Sequence, residues 1–127
     1  MDLVKLIVEL GKELAVETSL APASNGHYLL SFDPGIEVNV TEEKRIVLFK
    51  GIIGSIPETN TESFLLGLME ANLFGLGTRG AAIGLEAEGK LLTLSQAFSV
   101  DISFEHFKEK LEDFVSVIAH WRQAAAG

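Results

Sequence analysis

A glycine-rich segment is the first stretch whose residue types and spacing could do chemistry. It reads Gly75-Leu76-Gly77-Thr78-Arg79-Gly80, which has the G-x-G-x-x-G form of dinucleotide-binding loops. Such a loop binds pyrophosphate when it follows a strand and opens a helix, because the helix N-terminus carries the positive end of the helix dipole. Here the hydrophobic pattern predicts a helix before the glycines and a strand after them. The reversed order disfavours a small nucleotide-binding protein and favours a helix end followed by a close turn.

The histidines are the next candidates. They are His27, His106 and His120, and none has a second ligand at metal-binding spacing. His106 and His120 are separated by about four turns of one predicted helix, so they cannot share an ion within it. The chain has no cysteine, which excludes thiolate sites and disulfides. We therefore expect no metal, no cofactor and no catalytic residue, and we predict that the protein is not an enzyme.

Charge and length limit the possible partners. Among 127 residues there are 10 Lys and Arg and 18 Asp and Glu, which give a net charge of −8. Such a chain repels phosphate backbones and anionic lipid surfaces, so neither nucleic acid nor a membrane is an expected partner. The sequence shows no secretory signal and no apolar run long enough to span a bilayer. We expect one domain over residues 1–127, in the cytoplasm.

The hydrophobic content points to protein partners. It reaches 47% in a chain that is too short to bury a large core. Surplus apolar area on a small acidic protein is typical of an interface with a partner or with a second copy. A very well-filled core is the alternative that composition leaves open.

The elements that would position these residues follow from hydrophobic periodicity. The pattern predicts the order α-β-β-β-α-β-β-α, an α+β fold with an antiparallel sheet flanked by helices. The first three strands are joined by tight turns and form a meander, with Gly35 at positive φ in the first turn. We expect helices over 2–17, 59–74 and from about residue 103, and strands over 27–32, 36–41, 45–53, 81–86 and 90–98.

One block of the chain is more specific than the rest. A leucine-rich helix ends in Ala71-Asn72-Leu73 and is followed by the glycine-rich turn. The next strand contains Gly84-Leu85, and a second strand begins with Leu91-Leu92. This block closely resembles the type III secretion chaperones of the Tir-chaperone (CesT/SycE-like) family. The resemblance extends over the whole chain, to a closing amphipathic helix that ends in His120-Trp121-Arg122.

The resemblance implies a non-catalytic bacterial homodimer whose second helix and following strands form the dimer interface. On this sequence the interface would include Leu65, Leu68, Met69, Leu73, Ile83 and Leu85. The residues themselves do not distinguish this role from that of an intramolecular core, so both interpretations stay open.

The resemblance also implies a client, the N-terminal chaperone-binding segment of a secreted effector. The chaperone would hold this segment in extended form along the first helix and the meander, which keeps the effector soluble and competent for secretion. The corresponding residues here are Leu3, Leu6, Ile7, Leu10, Leu29, Leu30, Phe32, Val38 and Leu48. Because neighbours in a strand point to opposite faces of the sheet, some of them must lie in the core instead.

The alternative is a stand-alone protein-binding domain of the same fold, which resembles the YbjN-like proteins and has no secretion role. The motifs also do not separate effector binding from the binding of a regulatory protein.

Overall fold

The computed structural model describes residues 3–14, 17–18, 28–32, 35–57, 59, 61–74, 81–86 and 91–126. Its elements are α1 (Leu3–Leu14), β1 (Glu17–Thr18), β2 (Tyr28–Phe32), β3 (Ile36–Glu43), β4 (Ile46–Ser55), α2 (Thr61–Phe74), β5 (Ala82–Glu86), β6 (Leu91–Ser99) and α3 (Phe104–Ala126). The predicted order of elements is confirmed. The structure adds the two-residue strand β1 before the meander, which periodicity could not detect because it is too short.

The described strands form one antiparallel sheet in the order β1-β2-β3-β4-β6-β5. Strands β2, β3 and β4 are the predicted meander. Strand β6 lies between β4 and β5, so the chain leaves β4, passes through α2, forms β5 at the edge and returns inward. The order places α2 next to an edge strand of the sheet.

The turn between β3 and β4 differs from the prediction. The strands extend to Glu43 and from Ile46, so Lys44 and Arg45 alone connect them, both at positive φ (51° and 66°). Two central residues at positive φ are the signature of a type I′ hairpin turn, which matches the twist of the flanking strands. The predicted positive φ of Gly35 is confirmed at 69°.

One face of the sheet, here called the inner face, packs against α3. Phe49 of β4 contacts three other rings edge to face, with centroids 5.0 Å from Phe98, 5.7 Å from Phe107 and 5.4 Å from Phe114. The buried leucines of α1 belong to the same apolar cluster, and α1 also contacts α3. The core therefore lies between the inner face and these two helices.

Side-chain hydrogen bonds lie at the starts of α2 and α3. The Thr61 hydroxyl donates to the Pro57 carbonyl oxygen at 2.8 Å. The Ser103 hydroxyl accepts from the backbone N–H of His106 at 3.1 Å, which is the usual contact of a helix N-cap. Phe64 of α2 meets Trp121 of α3 at a right angle, with 6.0 Å between ring centroids. This contact joins α2 to the end of α3.

Candidate protein-binding surfaces

The face of the sheet opposite α3, here called the outer face, carries a row of exposed apolar side chains on β4. Ile46, Leu48 and Ile52 are 46%, 38% and 51% exposed, whereas Val47 and Phe49 between them are fully buried. We call the three exposed side chains the β4 ridge. Strand β4 is thus apolar on both faces, and only one face is covered in the described part of the chain.

The neighbours of the β4 ridge are small or polar. Leu48 lies in register with Thr41 of β3 and Ala97 of β6. Lys50 interrupts the ridge, and its ammonium group lies 2.6 Å from the Glu86 carboxylate of β5. Both partners of this ion pair are nearly half exposed, so it contributes little to stability. The apolar side chains of β4 therefore project beyond the residues on either side.

A surface groove of about 440 Å³ lies beside Ile52. It forms where β3 and β4 separate, since their register ends at Val38 and Gly51 while β4 continues to Ser55 beside β6. The register of β4 against β6 shifts between Ile52 and Gly54. The groove is lined by Leu29, Gly35, Glu37, Asn39, Ile52 and Arg122.

Arg122 closes the gap between the separated strands. Its Nε donates to the Ile53 carbonyl at 3.0 Å, Nη2 to the Ile52 carbonyl at 3.0 Å and Nη1 to the Gly35 carbonyl at 3.1 Å. The rigid guanidinium fork can serve three acceptors at once, which a lysine ammonium at this position could not match in geometry. Arg122 therefore holds the end of β4 and the β2–β3 turn together at the base of the groove.

A second exposed apolar surface lies on α2 and β5. Leu66 and Met69 of α2 are 55% and 67% exposed, and Leu85 of β5 is 48% exposed. We call these three side chains the α2–β5 patch. The buried side of the helix carries Leu68, with Phe64 and Leu65 half-buried. Helix α2 therefore carries apolar side chains on its exposed side as well as on the side that packs against the core.

Asn72 joins the two elements of this patch. Its amide Nδ2 donates to the Ile83 carbonyl at 2.9 Å, and its Oδ1 accepts from the Ile83 N–H at 2.8 Å. Both backbone groups of Ile83 are thus satisfied by one side chain. Asn72, the central residue of the Ala71-Asn72-Leu73 sequence, therefore connects α2 to β5.

The candidates for chemistry are not assembled into a site in the described residues. Those residues hold no group of three His, Asp or Glu that could bind a metal ion. His106 is an exposed residue in the first turn of α3, and His120 packs edge to face on Trp121 at 5.4 Å. His27 and the glycine segment 75–80 lie outside the described residues, but α2 precedes that segment and β5 follows it, as predicted. None of the described helices is long and apolar enough to cross a membrane.

The sequence as a whole matches one family of chaperones. The match to the Tir chaperone protein (CesT) family extends over residues 5–122. The chain belongs to this family. A Chlamydia pneumoniae protein is 28% identical to this CesT-family chain over 119 residues, which are 92% of the chain and 91% of the relative.

The fold of this CesT-family chain recurs in solved complexes. The match to the ExsC–ExsE complex has a TM-score of 0.74 at 16% identity and covers 98% of this chain and 97% of the other. The HopA1–SchA chaperone–effector complex follows at 0.72 and 16% identity, with coverage of 94% and 91%. At such identities the likeness shows a shared fold, and the predicted fold class is confirmed.

YbjN from E. coli has the same fold at lower similarity. Its TM-score is 0.60 at 14% identity, with coverage of 91% of this chain and 87% of YbjN. Membership of the CesT family therefore favours a chaperone over the YbjN-like alternative.

The residues expected to bind the client are divided between the core and the surface. Six of the nine are at most 2% exposed and belong to the core. They are Leu3, Leu6, Ile7, Leu10, Leu30 and Val38. Leu29 and Phe32 are half-buried, and Leu48 is exposed on the β4 ridge. A side chain without exposed area cannot contact a client while the core stays closed, so a client surface can use only the last three.

The residues expected at a dimer interface are divided in the same way. Leu68 and Ile83 are buried, Leu65 is half-buried, and the side chain of Leu73 lies outside the description. Met69 and Leu85 are exposed and form the α2–β5 patch together with Leu66.

Sequence reasoning missed Leu66, Ile46 and Ile52 as exposed apolar residues. The signal was present in β4, where the alternating positions 46, 48 and 52 and positions 47, 49 and 53 are all apolar. A strand that is apolar on both faces either lies inside a protein or presents one face to a partner.

Proposed function

We propose that this chain is a type III secretion chaperone that holds the N-terminal segment of a secreted effector in extended form and keeps it soluble and competent for secretion. The family match over residues 5–122 is the observation that carries the proposal. The HopA1–SchA complex, which has the same fold, is a chaperone–effector complex and supports it.

The β4 ridge and the adjoining groove are the proposed client surface. Ordering one residue of an extended client costs about 1–2 kcal/mol, and apolar burial returns about 25 cal/mol per Å². Binding therefore needs several apolar anchors. Ile46, Leu48 and Ile52 offer such anchors at strand spacing, with Leu29 lining the groove at the end of the row. A client with alternating apolar residues fits this surface, because every second side chain of an extended segment faces the same way.

The α2–β5 patch is the proposed contact with a second copy of the chain. Leu66, Met69 and Leu85 are too exposed to serve the core of one subunit, and they lie on the two elements that Asn72 ties together. A patch on rigidly joined elements suits a two-fold interface, in which the same surface contributes from both copies. The homodimer would act without a catalytic residue or cofactor, in the bacterial cytoplasm.

Affinity purification of the tagged chain from its native bacterium tests the proposal. We expect the chain to retain a secreted protein, and to lose it when the N-terminal segment of that protein is deleted. Retention of the truncated protein, or capture of metabolic enzymes alone, would contradict the proposal. The chain with the β4 ridge replaced by serines is the matched control for capture by nonspecific apolar contact elsewhere.

A further inference from the structure

The amide of Asn72 occupies the place that a neighbouring strand would take beside β5. In an antiparallel ladder, a hydrogen-bonded pair of residues exchanges two bonds, N–H to C=O in each direction. Ile83 makes both of these bonds with the Asn72 side chain, at 2.9 Å and 2.8 Å. Asn72 therefore satisfies Ile83 as one residue of an added strand would.

Ile83 is one of the few residues of β5 whose backbone groups are directed to the edge of the sheet, so its contact with Asn72 occupies a place where an added strand would pair. Strand β5 is at the edge of the described sheet and runs from Ala82 to Glu86. Backbone groups of successive residues point alternately toward β6 and toward the edge, so within β5 only Ile83 and Leu85 present theirs outward. With Ile83 bound to Asn72, a strand added here would pair at Leu85 alone.

We propose that Asn72 closes the β5 edge of the sheet to an extended partner strand. This closure does not rest on the proposed function, which places the client on the β4 ridge.

A peptide with the sequence of β6 provides the test. Residues 91–99 form β6 and pair with β5 along its whole length, through the edge opposite the one that Asn72 occupies, so their sequence suits a probe for the outward edge. A fluorescent peptide of this sequence, with lysines added at one end for solubility, is titrated against the full chain and against Asn72→Ala. We expect at least about tenfold tighter binding to the variant, because two backbone bonds of Ile83 become free for the peptide. Slower amide exchange of Ile83 in the bound variant locates the peptide at β5.

Glu70→Ala is the matched control, since Glu70 is exposed on the same helix and the substitution keeps Asn72 in place. It should bind the peptide as the unchanged chain does. Equal affinities of the unchanged chain and Asn72→Ala would overturn the inference. Should Asn72→Ala fail to fold, Asn72→Leu decides, because it keeps a side chain of similar size at this exposed position and removes both hydrogen bonds to Ile83. A Leu variant that binds no better than the unchanged chain overturns the inference as well.

The outcome separates this inference from the proposed function. If a secreted client co-purifies but Asn72→Ala gains no affinity for the peptide, only the closure of β5 is refuted. If Asn72→Ala gains affinity but no client is found with either chain, the closure stands and the chaperone function is refuted.

Discussion

Gly51 sets the distance between α3 and the sheet. A Cβ atom at this position would lie 2.6 Å from Ile118 Cδ1, 3.3 Å from the Glu37 carbonyl oxygen and 3.4 Å from Phe114 Cε2. Ile118 and Phe114 are both buried, so neither side chain can move aside without disturbing the core. The close approach therefore depends on the absence of a side chain at residue 51.

We predict that Gly51→Ala lowers the free energy of unfolding by about 1–3 kcal/mol, as overpacking of a well-packed core does. Gly67→Ala is the control, because a Cβ atom there would meet no heavy atom within 4 Å. In the interior of a helix, this substitution should raise the free energy of unfolding by about 0.5–1 kcal/mol. Urea unfolding followed by circular dichroism measures both, and a destabilisation of equal size in the two variants would contradict the account.

Two turns show which backbone conformations the sequence could predict and which it could not. The positive φ of Gly35 could be predicted because the sequence Asp33-Pro34-Gly35 is a turn by its residue types. The positive φ of Lys44 and Arg45 could not, because neither residue favours it. Arg45 is instead held by an ion pair with Asp101 and by a 2.9 Å bond from the Val100 N–H to its carbonyl. These contacts come from the β6–α3 connection, which local sequence does not reveal.

At the scale of elements, the strands and helices could be predicted well and the faces of β4 could not. Period-two alternation fixes which residues share a face, and the three-strand meander was therefore correct. Both faces of β4 are apolar, so alternation alone does not say which one α3 covers. The same uncertainty put Leu30 and Val38 among the expected client contacts, although they lie on the covered face.

We predict that replacing Leu48 and Ile52 together by serine weakens client binding at least about tenfold and leaves the fold intact. Each side chain is exposed, so its loss removes apolar contact with the client and little from the core. The readout is the affinity of the purified client segment, with urea unfolding as the check on folding. Val8→Ser is the control, since Val8 is 39% exposed on α1 and outside the ridge.

Unchanged affinity in the serine variant would place the client elsewhere on the chaperone. Equal weakening by Val8→Ser would show that exposed apolar residues act without regard to position, which contradicts a defined β4 site.

At the scale of the whole molecule, a net charge of −8 accompanies two exposed apolar surfaces. We expect the charge to favour solubility of the free protein, and we propose that the apolar surfaces supply the attraction for a partner and for a second copy. The sequence composition predicted this combination. The sheet order was needed to show that the β4 ridge and the α2–β5 patch are separate surfaces, because β6 lies between β4 and β5.

We predict that the unchanged chain sediments as a dimer at micromolar concentration and that Met69→Glu sediments as a monomer. A carboxylate within the patch would be desolvated in both subunits of the dimer, while the folded monomer leaves it in water. Analytical ultracentrifugation gives the masses. Ile52→Ser should remain dimeric, and a dimer that survives Met69→Glu would exclude the α2–β5 patch as the interface.

Hydrogen–deuterium exchange of the client bound to the chaperone tests the central claim most directly. The account predicts protection confined to an N-terminal stretch of the client, with the chaperone protected along β2–β4 and the rest of the client exchanging as it does when free. Protection spread over a folded domain of the client, with none on β2–β4, would contradict a chaperone that holds an extended segment on this sheet.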